Sequence, residues 1–403
     1  MHMQMLTAIT QAILWLTHSG IRNGDESLQS FGGLNAGYDW KRKTYTSVYN
    51  EITGYGISSF LNLYQWTGDP HSLDLARDAA DYLCRFQVQD PQRRESGAIP
   101  HSLTQPDMEV VRTYWSFDNA MILRGLMKLH ALTHEASYLS AGVGIADWLL
   151  RHMQRQDGSF TACYDGETDC ASHEKIEFYG DGGCLHVKNA LGLLSLAAVQ
   201  HDERYAGAAR RLCHWGLELQ NPDGTFWANG RKRYVFTHAH CYATEGYLYA
   251  YHCLKDPEFL AAGRLAGETL VRLQNGDGSL YRIYRNRLPW KERAKETLFP
   301  QKTSDATAQA IRIWVLLYYL TREKQFLQAA EKAVRFLLEM QVGMSADPRQ
   351  NGAFYYQRCD LFGKKRVSPV LFTWCAQFGT AALYAFAHVE RENGYDRMMD
   401  ELF

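Results

Sequence analysis

Residues 149–160 read LLRHMQRQDGSF, a stretch that ends in a glutamine, an Asp-Gly turn and a phenylalanine. Its apolar residues recur at helical spacing and predict an amphipathic helix. The glycine after aspartate supplies the positive φ that ends such a helix. The same ending recurs as YLCRFQVQ followed by SGAI, as GLELQNPDGTF, as LVRLQNGDGSL, and as FLLEMQ followed by NGAFYY. The chain is therefore built from one repeated unit.

A second kind of segment follows each turn and is apolar on nearly every side. A helix that is apolar all round is normally buried on all sides. We therefore expect six inner helices, each linked to the next amphipathic outer helix. The six segments are SVYNEITGYGISSFLNLY, SFDNAMILRGLMKLHAL, CLHVKNALGLLSLAAV, HAHCYATEGYLYAYHCL, SDATAQAIRIWVLLYYL and LFTWCAQFGTAALYAFA.

The N-terminal segment supplies the sixth outer helix, predicted at residues 11–17. An open solenoid has atypical polar caps at both ends. Here the first outer helix lacks a preceding inner helix, and the last inner helix lacks a following outer one, so that ring closure buries both. We predict an all-α fold, an (α/α)6 toroid of six inner and six outer helices, as one domain over residues 1–403. Its inner helices run the same way, and their N-termini collect at one mouth.

Composition sets the broad class of the protein. With 22% charged and 46% hydrophobic residues the chain is an ordinary globular protein, and its net charge of -1 gives no reason to expect nucleic acid. No apolar run approaches the length of a bilayer span, so we expect no membrane insertion. Nine scattered cysteines suit a reducing compartment, and we expect a cytoplasmic protein.

Polar side chains lie in the first turn of every inner helix, although a purely structural ring would not need them. Glu51 lies among Tyr49, Ile52 and Tyr55. Burying an ionisable group is costly unless the group is paired or used. We therefore expect Glu51 to be catalytic.

Three further residues are candidates for catalysis. Asp118 and Asp305 each lie in a first turn with a serine nearby, and for each of them helix capping is an equal alternative. His240 shares its first turn with His238, although a core histidine bonded to a carbonyl is the default reading of such a residue. We expect Glu51 to be a general acid and Asp118, Asp181 or Asp305 to be the base.

The remaining polar and aromatic residues of the mouth suit saccharide binding, because aromatic faces stack on sugar rings while amides and carboxylates bond hydroxyls. Glu245 has an alternative as the buried partner of Arg124 or Arg312. Tyr179, in a loop, is expected at the same mouth. The predicted substrate-binding residues are Tyr49, Asn50, Trp40, Trp115, Asn119, Asp181, His186, Lys188, His238, Tyr242, Glu245, Gln309, Trp374 and Gln377.

No cofactor is required by this arrangement. The histidines and cysteines of HAHC and CLH match no zinc spacing, so we expect no metal. An oligo- or polysaccharide is the expected partner.

The six-unit plan, with segments such as YNEITGY and HAHCYATEGY, resembles the (α/α)6 six-hairpin enzymes of carbohydrate metabolism. That group includes glycosidases, unsaturated-uronyl hydrolases, polysaccharide lyases and N-acylglucosamine 2-epimerase-like isomerases. The resemblance implies a carbohydrate substrate. By analogy with the epimerases, it implies His240, with His186, as the base for proton transfer at carbon.

Three functions are consistent with these residues. Hydrolysis of a glycosidic bond by paired carboxylates is favoured. Epimerisation, isomerisation or elimination by His or Tyr proton transfer is the second possibility. A non-catalytic toroid that binds a glycan or a protein partner is the third.

Overall fold

The structure is a computed structural model that describes residues 1–168, 170–172, 180–228, 234–285, 300–361, 364–389, 395–396 and 398–399. Twelve α-helices in this part of the chain alternate between an outer and an inner layer. The outer helices are α1 His2–His18, α3 Pro70–Phe86, α5 Ala136–Trp148, α7 Glu203–Leu217, α9 Pro257–Leu273 and α11 Lys324–Met340. The inner helices are α2 Asn50–Thr67, α4 Ser116–Thr133, α6 Ala190–Gln200, α8 Thr237–Leu254, α10 Ser304–Thr321 and α12 Thr373–Ala387.

The two layers follow the two sequence patterns. On α11 the buried residues include Phe326, Ala330, Val334 and Leu337, which repeat at intervals of three or four and form one face. On α10, by contrast, every residue from Ser304 to Leu317 is buried. Each inner helix packs against the next, and α12 packs against α2, which closes the ring. The predicted (α/α)6 barrel is confirmed.

Five glutamines, each at the end of an outer helix, tie that helix to the next one in the ring. Gln154 Nε2 donates to Gly158 O in its own turn at 3.3 Å, and to Ala208 O of α7 at 2.9 Å. For Gln341 the second acceptor is Ala8 O of α1, 2.8 Å away. The first and last units are therefore joined by the bond that joins the others. The remaining glutamines with this pair of bonds are Gln87, Gln220 and Gln274.

The turn glycine of each repeat approaches the same neighbouring helix. Gly352 has a φ of +90°, and a Cβ there would lie 2.1 Å from Gln11 O of α1. A Cβ on Gly158 would lie 2.5 Å from Arg211 O of α7. Only glycine combines this φ with such close backbone contact, which explains why the Asp-Gly or Asn-Gly turn recurs.

Short antiparallel strands line one end of the barrel. Strands β3, β6, β9, β12 and β15 each end directly before an inner helix, so the N-termini of those helices start at this end. Pairing of β1 with β15 joins the first unit to the last. The strands are β1 Gly37–Asp39, β2 Thr44–Tyr45, β3 Val48–Tyr49, β4 Ser102–Leu103, β5 Val110–Val111, β6 Thr113–Trp115, β7 Cys163–Asp165, β8 Cys170–Ser172, β9 Tyr234–Phe236, β10 Leu280–Tyr281, β11 Ile283–Arg285, β12 Lys302–Thr303, β13 Gln357–Leu361, β14 Lys364–Val367 and β15 Val370–Phe372.

Several helix boundaries differ from the sequence patterns: the third inner segment begins as a 3₁₀ turn, Cys184–Asn189, and the last inner helix starts at Thr373 because Leu371 and Phe372 belong to β15. The first inner helix starts at Asn50 because Val48 and Tyr49 pair with β4 as a strand. The first outer helix extends over His2–His18 rather than 11–17, because Met5, Ala8 and Ile9 continue its buried face.

Candidate active site

Counting each inner helix from its first residue puts the units in register. Positions 2, 6 and 9 share one helix face, and this face points to the barrel axis. In the third unit a 3₁₀ turn, Cys184–Asn189, precedes α6. There Lys188 takes position 6, because its Nζ lies within 5.5 Å of the position-6 rings of Tyr55, Tyr242 and Phe378. Position 1 is Asn50, Ser116, Gly183, Thr237, Ser304 and Thr373.

Position 4 belongs to the scaffold. Asn119 Oδ1 accepts the backbone N–H of Ile99 at 2.8 Å, and His240 Nδ1 accepts that of Phe226 at 3.2 Å. Two threonines, Thr53 and Thr307, do the same for Leu34 and Leu280. In these four units the bond fixes the loop that follows the outer helix to the next inner helix.

Both ring nitrogens of His240 lie within hydrogen-bond distance of backbone atoms. Its other ring nitrogen, Nε2, lies 3.2 Å from Ala266 O of α9. Burial lowers the pKa of His240 to about 4. The side chain lies between the two helix layers, bonded to Phe226 and Ala266, and the structure does not bring it to the mouth. The register, rather than the residue type, distinguishes it from His238.

Four further predicted binding residues also support the frame. Asn50 donates to Pro100 O at 2.7 Å and accepts from Tyr82 Oη at 2.9 Å. His186, at position 4, is wholly buried, and burial lowers its pKa to about 4. Asp181 pairs with Arg155 and accepts the Ala162 N–H. Trp40, which follows β1, donates through Nε1 to Ser368 O, just before β15. Tyr179 lies outside the described residues.

Asp118, at position 3 of α4, is held by two side chains. Tyr49 Oη donates to Asp118 Oδ1 at 3.3 Å, and His101 Nδ1 lies 3.0 Å from Oδ2. The Tyr49 and His101 rings meet edge to face at 4.5 Å, and the Trp115 ring lies 6.2 Å from that of His101. Asp118 is 1% exposed, and burial raises its pKa although His101 and Tyr49 oppose the shift. The N-cap of α4 is Trp115, without a side-chain bond, so Asp118 is not the cap.

Asp305, at position 2 of α10, has a different set of partners. Its Oδ1 accepts the Ala306 N–H at 2.6 Å. Its Oδ2 lies 3.3 Å from His238 Nδ1 and accepts from Trp374 Nε1, also at 3.3 Å. Burial lowers the pKa of His238, while the charge of Asp305 opposes that shift. The pair is therefore a carboxylate beside an imidazole that tends to be neutral.

Aromatic rings form a platform beside Asp305. Phe372 and Trp374 stack with their centroids 4.1 Å apart and their planes 19° from parallel. Tyr356 meets Phe372 edge to face at 5.2 Å. Phe372 and Trp374 are partly exposed, so a flat apolar face is available to a ligand at the mouth.

Glu245 and its partners close the bottom of the mouth. Lys188 Nζ lies 2.7 Å from Glu245 Oε2, Gln309 Nε2 donates to the same oxygen at 3.2 Å, and Arg312 pairs with Oε1. Burial lowers the pKa of Lys188 to about 8. Burial alone would raise the pKa of Glu245, but Arg312 and Lys188 hold it below its ordinary value. We call Glu245, Lys188, Arg312, Tyr55, Tyr242 and Phe378 the floor.

Glu51 lies at the mouth just above the floor, and Gln377 adjoins the floor. Glu51, at position 2 of α2, is 3% exposed. After burial, its charge is the largest contribution to the raised pKa of Tyr55. Gln377 Nε2 donates to Ile52 O at 3.1 Å. The structure thus brings Glu51, Asp118, Asp305, Tyr49, Trp115, His238 and Trp374 to the mouth, and puts Lys188, Tyr242, Glu245, Gln309 and Gln377 at or next to the floor.

Two residues at the mouth were missed from the sequence. His101 lies two residues after Ile99, the loop residue bonded to position 4, and Phe372 lies just before its inner helix. The signal was available in the repeat, because Arg282 and Tyr356 stand at the same offset from the repeat endings Leu280 and Phe354.

The described part of the chain has no group of three or more His, Cys, Asp or Glu residues arranged to hold a metal ion. Nor does any helix within it have the length and apolarity to cross a membrane.

No protein-family model matches this chain, and no curated protein matches its sequence. Solved structures share its fold. A sugar epimerase from a ruminal bacterium superposes with a TM-score of 0.74 at 13% identity, covering 95% of this chain and 99% of the other. Cellobiose 2-epimerase from Bacillus thermoamylovorans gives 0.73 at 13% identity, with 97% and 98% covered. Unsaturated glucuronyl hydrolase from Bacillus sp. GL1 gives 0.66 at 14% identity, with 97% of each chain covered. At these identities the likeness confirms the (α/α)6 barrel as the shared fold.

Proposed function

We propose that this protein is an enzyme that hydrolyses a glycosidic bond of an oligo- or polysaccharide at the mouth of the barrel. Asp118 is the proton donor and Asp305 the base. One observation carries the proposal: two carboxylates are buried at the mouth in different environments, one beside a tyrosine and a histidine, the other beside a histidine and a tryptophan. Two carboxyl groups in different environments are the requirement of acid–base glycoside hydrolysis.

Burial supports the assignment of the acid. Because the pKa of Asp118 is raised, its neutral form persists to higher pH than that of an exposed aspartate. Such a group can protonate a leaving oxygen. The acid favoured from the sequence was Glu51; its place next to the floor suits it better to binding the substrate and orienting it.

The ring order supports the assignment of the base. Helices α4 and α10 are the second and fifth of six inner helices and stand opposite each other. Asp118 and Asp305 therefore approach a bound sugar from two sides. The Phe372–Trp374 platform suits stacking against a sugar face. The solved structures with this fold that carry names of sugar epimerases and a glucuronyl hydrolase agree with a saccharide substrate.

A panel of oligosaccharides followed by a reducing-end assay tests the proposal. Asp118→Asn and Asp305→Asn should each lower kcat by about 10²–10⁴-fold, because each removes one proton-transfer group. Substrate binding, measured by calorimetry, should stay within about threefold of wild type, a difference below the 1.4 kcal/mol of a tenfold change.

Asp69→Asn is the matched control. Asp69 caps α3 by accepting the His71 N–H at 3.1 Å, and asparagine caps equally well. The same chemical change there should leave kcat unchanged. Full activity in Asp118→Asn would contradict the assignment of the acid, and binding without turnover by the wild type on every sugar would favour a glycan-binding protein.

A second function, epimerisation or isomerisation of a sugar, is favoured by a separate observation. Two His–Asp pairs, His101 with Asp118 and His238 with Asp305, stand on opposing sides of the mouth. Such pairs suit proton removal and return at carbon. Incubation in deuterium oxide separates the two functions: deuterium bound to sugar carbon without new reducing ends would establish epimerisation or isomerisation and exclude hydrolysis.

A further inference from the structure

The inner helices sort their charges along the barrel axis. Three of their four carboxylates, Glu51, Asp118 and Asp305, stand at positions 2 and 3, at the mouth. All four of their lysines and arginines stand deeper: Lys188 at position 6, Arg124 and Arg312 at position 9, and Lys128 at position 13. Glu245 is the one carboxylate on these helices at that depth.

A cavity lies beneath the floor, among these cations. Its volume is about 40 Å³. Arg124, Arg312 and Lys188 line it, and each is less than 10% exposed. No Asp or Glu stands among its described lining residues. Neutral hydrogen-bonding groups complete the wall: Ser58, Ser59, Asn62 and Gln377.

Helix dipoles alone do not explain this distribution. A helix C-terminus favours cations only within its last turn. Arg124 is the ninth residue of an 18-residue helix and therefore stands at its middle. Its Nη1 donates to Ser195 Oγ at 2.8 Å and to Tyr249 Oη at 2.9 Å, which fixes the guanidinium at the cavity wall. Lys188 and Arg312 share one carboxylate, that of Glu245, and burying a third cation beside them is costly.

The cavity has its own approach from outside. A second pocket shares Ser59, Asn62 and Gln377 with it and continues past Thr17 and Trp66, between α1, α2 and α12. This route lies on the opposite side of the floor from Asp118 and Asp305. This pocket is the side from which a small solute would reach the cavity without passing the mouth.

We propose that this cavity is a second binding site, for a small oxyanion, held between Arg124 and Arg312. Guanidinium groups present paired N–H donors that match phosphate, sulfate and carboxylate oxygens, and the neighbouring serines and asparagine supply further donors. The site is independent of the sugar site at the mouth.

Binding of inorganic phosphate to the whole protein tests this proposal directly. At about 10 mM phosphate and constant ionic strength, with chloride as the reference salt, the melting temperature should rise, because a ligand that binds only the folded state stabilises it. Calorimetry with phosphate, sulfate, acetate and a sugar phosphate then distinguishes the sources of the oxyanion. The free inorganic ions should bind, and a ligand wider than the passage should not.

Arg124→Gln should weaken phosphate binding at least about tenfold, the loss of one charge-assisted contact. Arg335→Gln is the control, since Arg335 is an exposed arginine on the outer helix α11. If Arg124→Gln fails to fold, Ser59→Leu keeps every charge and blocks the passage, and it should weaken binding likewise. Phosphate that binds both variants as it binds wild type, or that fails to bind wild type, overturns the proposal. Asp118→Asn should bind phosphate normally, which separates this test from that of the sugar site.

Discussion

Asn119 and His240 show how one position can be filled by different residues for the same purpose. Both accept a backbone N–H from the loop before their helix, as Thr53 and Thr307 do. From the sequence each looked like a functional residue at the mouth. A residue type alone does not reveal its direction, because successive residues of a helix point about 100° apart.

Acid stability should depend on His240. Burial lowers its pKa to about 4 from the ordinary 6.5. Between these values the unfolded chain binds a proton that the folded protein does not, so the free energy of unfolding falls as the pH falls through this window. His240→Asn, which keeps the acceptor for Phe226, should make that slope shallower by about 1.4 kcal/mol per pH unit.

Urea unfolding at intervals from pH 4 to 7 measures this slope. His201→Asn serves as the control, because His201 is exposed at the end of α6. An unchanged slope in His240→Asn would contradict a neutral buried imidazole. Catalytic activity near neutral pH should survive His240→Asn, unlike substitution of Asp118.

The pH dependence of kcat should report on Asp118. The proton donor must be protonated, and burial raises its pKa. Activity should therefore extend above the pH range in which an ordinary aspartate keeps its proton, and fall as the pH rises through the raised pKa. Phe substitution of Tyr49 removes a bond that favours the carboxylate, so Tyr49→Phe should move this alkaline limb to higher pH. A limb that stays in place or moves to lower pH would count against Asp118 as the acid.

At the scale of helices and turns, the repeat was readable from sequence because its parts have local causes. Glutamine, turn glycine and the all-apolar inner segment each predict one feature of the unit, and the complementary first and last helices predicted the closure of the ring. The strands were not predicted. They are two to five residues long and depend on pairing partners from other units, as β1 does with β15.

The closure of the ring between the last and the first unit can be tested at the turn glycine Gly352. Gly352 and Gly68 both have positive φ, but a Cβ at Gly352 would meet Gln11 O, whereas at Gly68 it would meet nothing within 4 Å. Gly68→Ala should cost about 1–2 kcal/mol, the penalty of the left-handed conformation. Gly352→Ala should cost about 3 kcal/mol or more, because overpacking against α1 is added.

Denaturant unfolding of the two variants gives the comparison. Equal losses of stability would contradict close contact between the last turn and the first helix, and with it the closure of the ring. A larger loss in Gly352→Ala supports both.

At the scale of the whole barrel, inward-facing residues from different helices form layers across the axis. The floor joins α2, α8, α10 and α12 with Lys188 of the third unit. Sequence suggested Arg312 as a partner of Glu245, and the structure confirms it. The contact of Lys188 with three aromatic rings could not be predicted from the sequence. It depends on how four units are aligned with one another, and no single segment contains that information.

The floor should respond unequally to the loss of its charges. Glu245→Gln leaves Lys188 and Arg312 without their shared carboxylate and should cost about 3–5 kcal/mol. Lys188→Met leaves Glu245 paired with Arg312 and should change stability by no more than about 1 kcal/mol. Urea unfolding at pH 7 compares the two, and an equal loss in both variants would show that Lys188 is needed as the counter-charge.

The residues that join neighbouring units, which we call the joints, differ from the residues that face the barrel axis. The tie glutamines, turn glycines and position-4 acceptors hold neighbouring units together, while positions 2, 6 and 9 face the interior. Exchanging a single side chain per helix at position 2 can therefore redirect the chemistry at the mouth while every joint is retained. Such a frame is well suited to divergence, and a library randomised at Glu51, Phe117, His238, Asp305 and Trp374 should yield folded proteins far more often than one randomised at the joints.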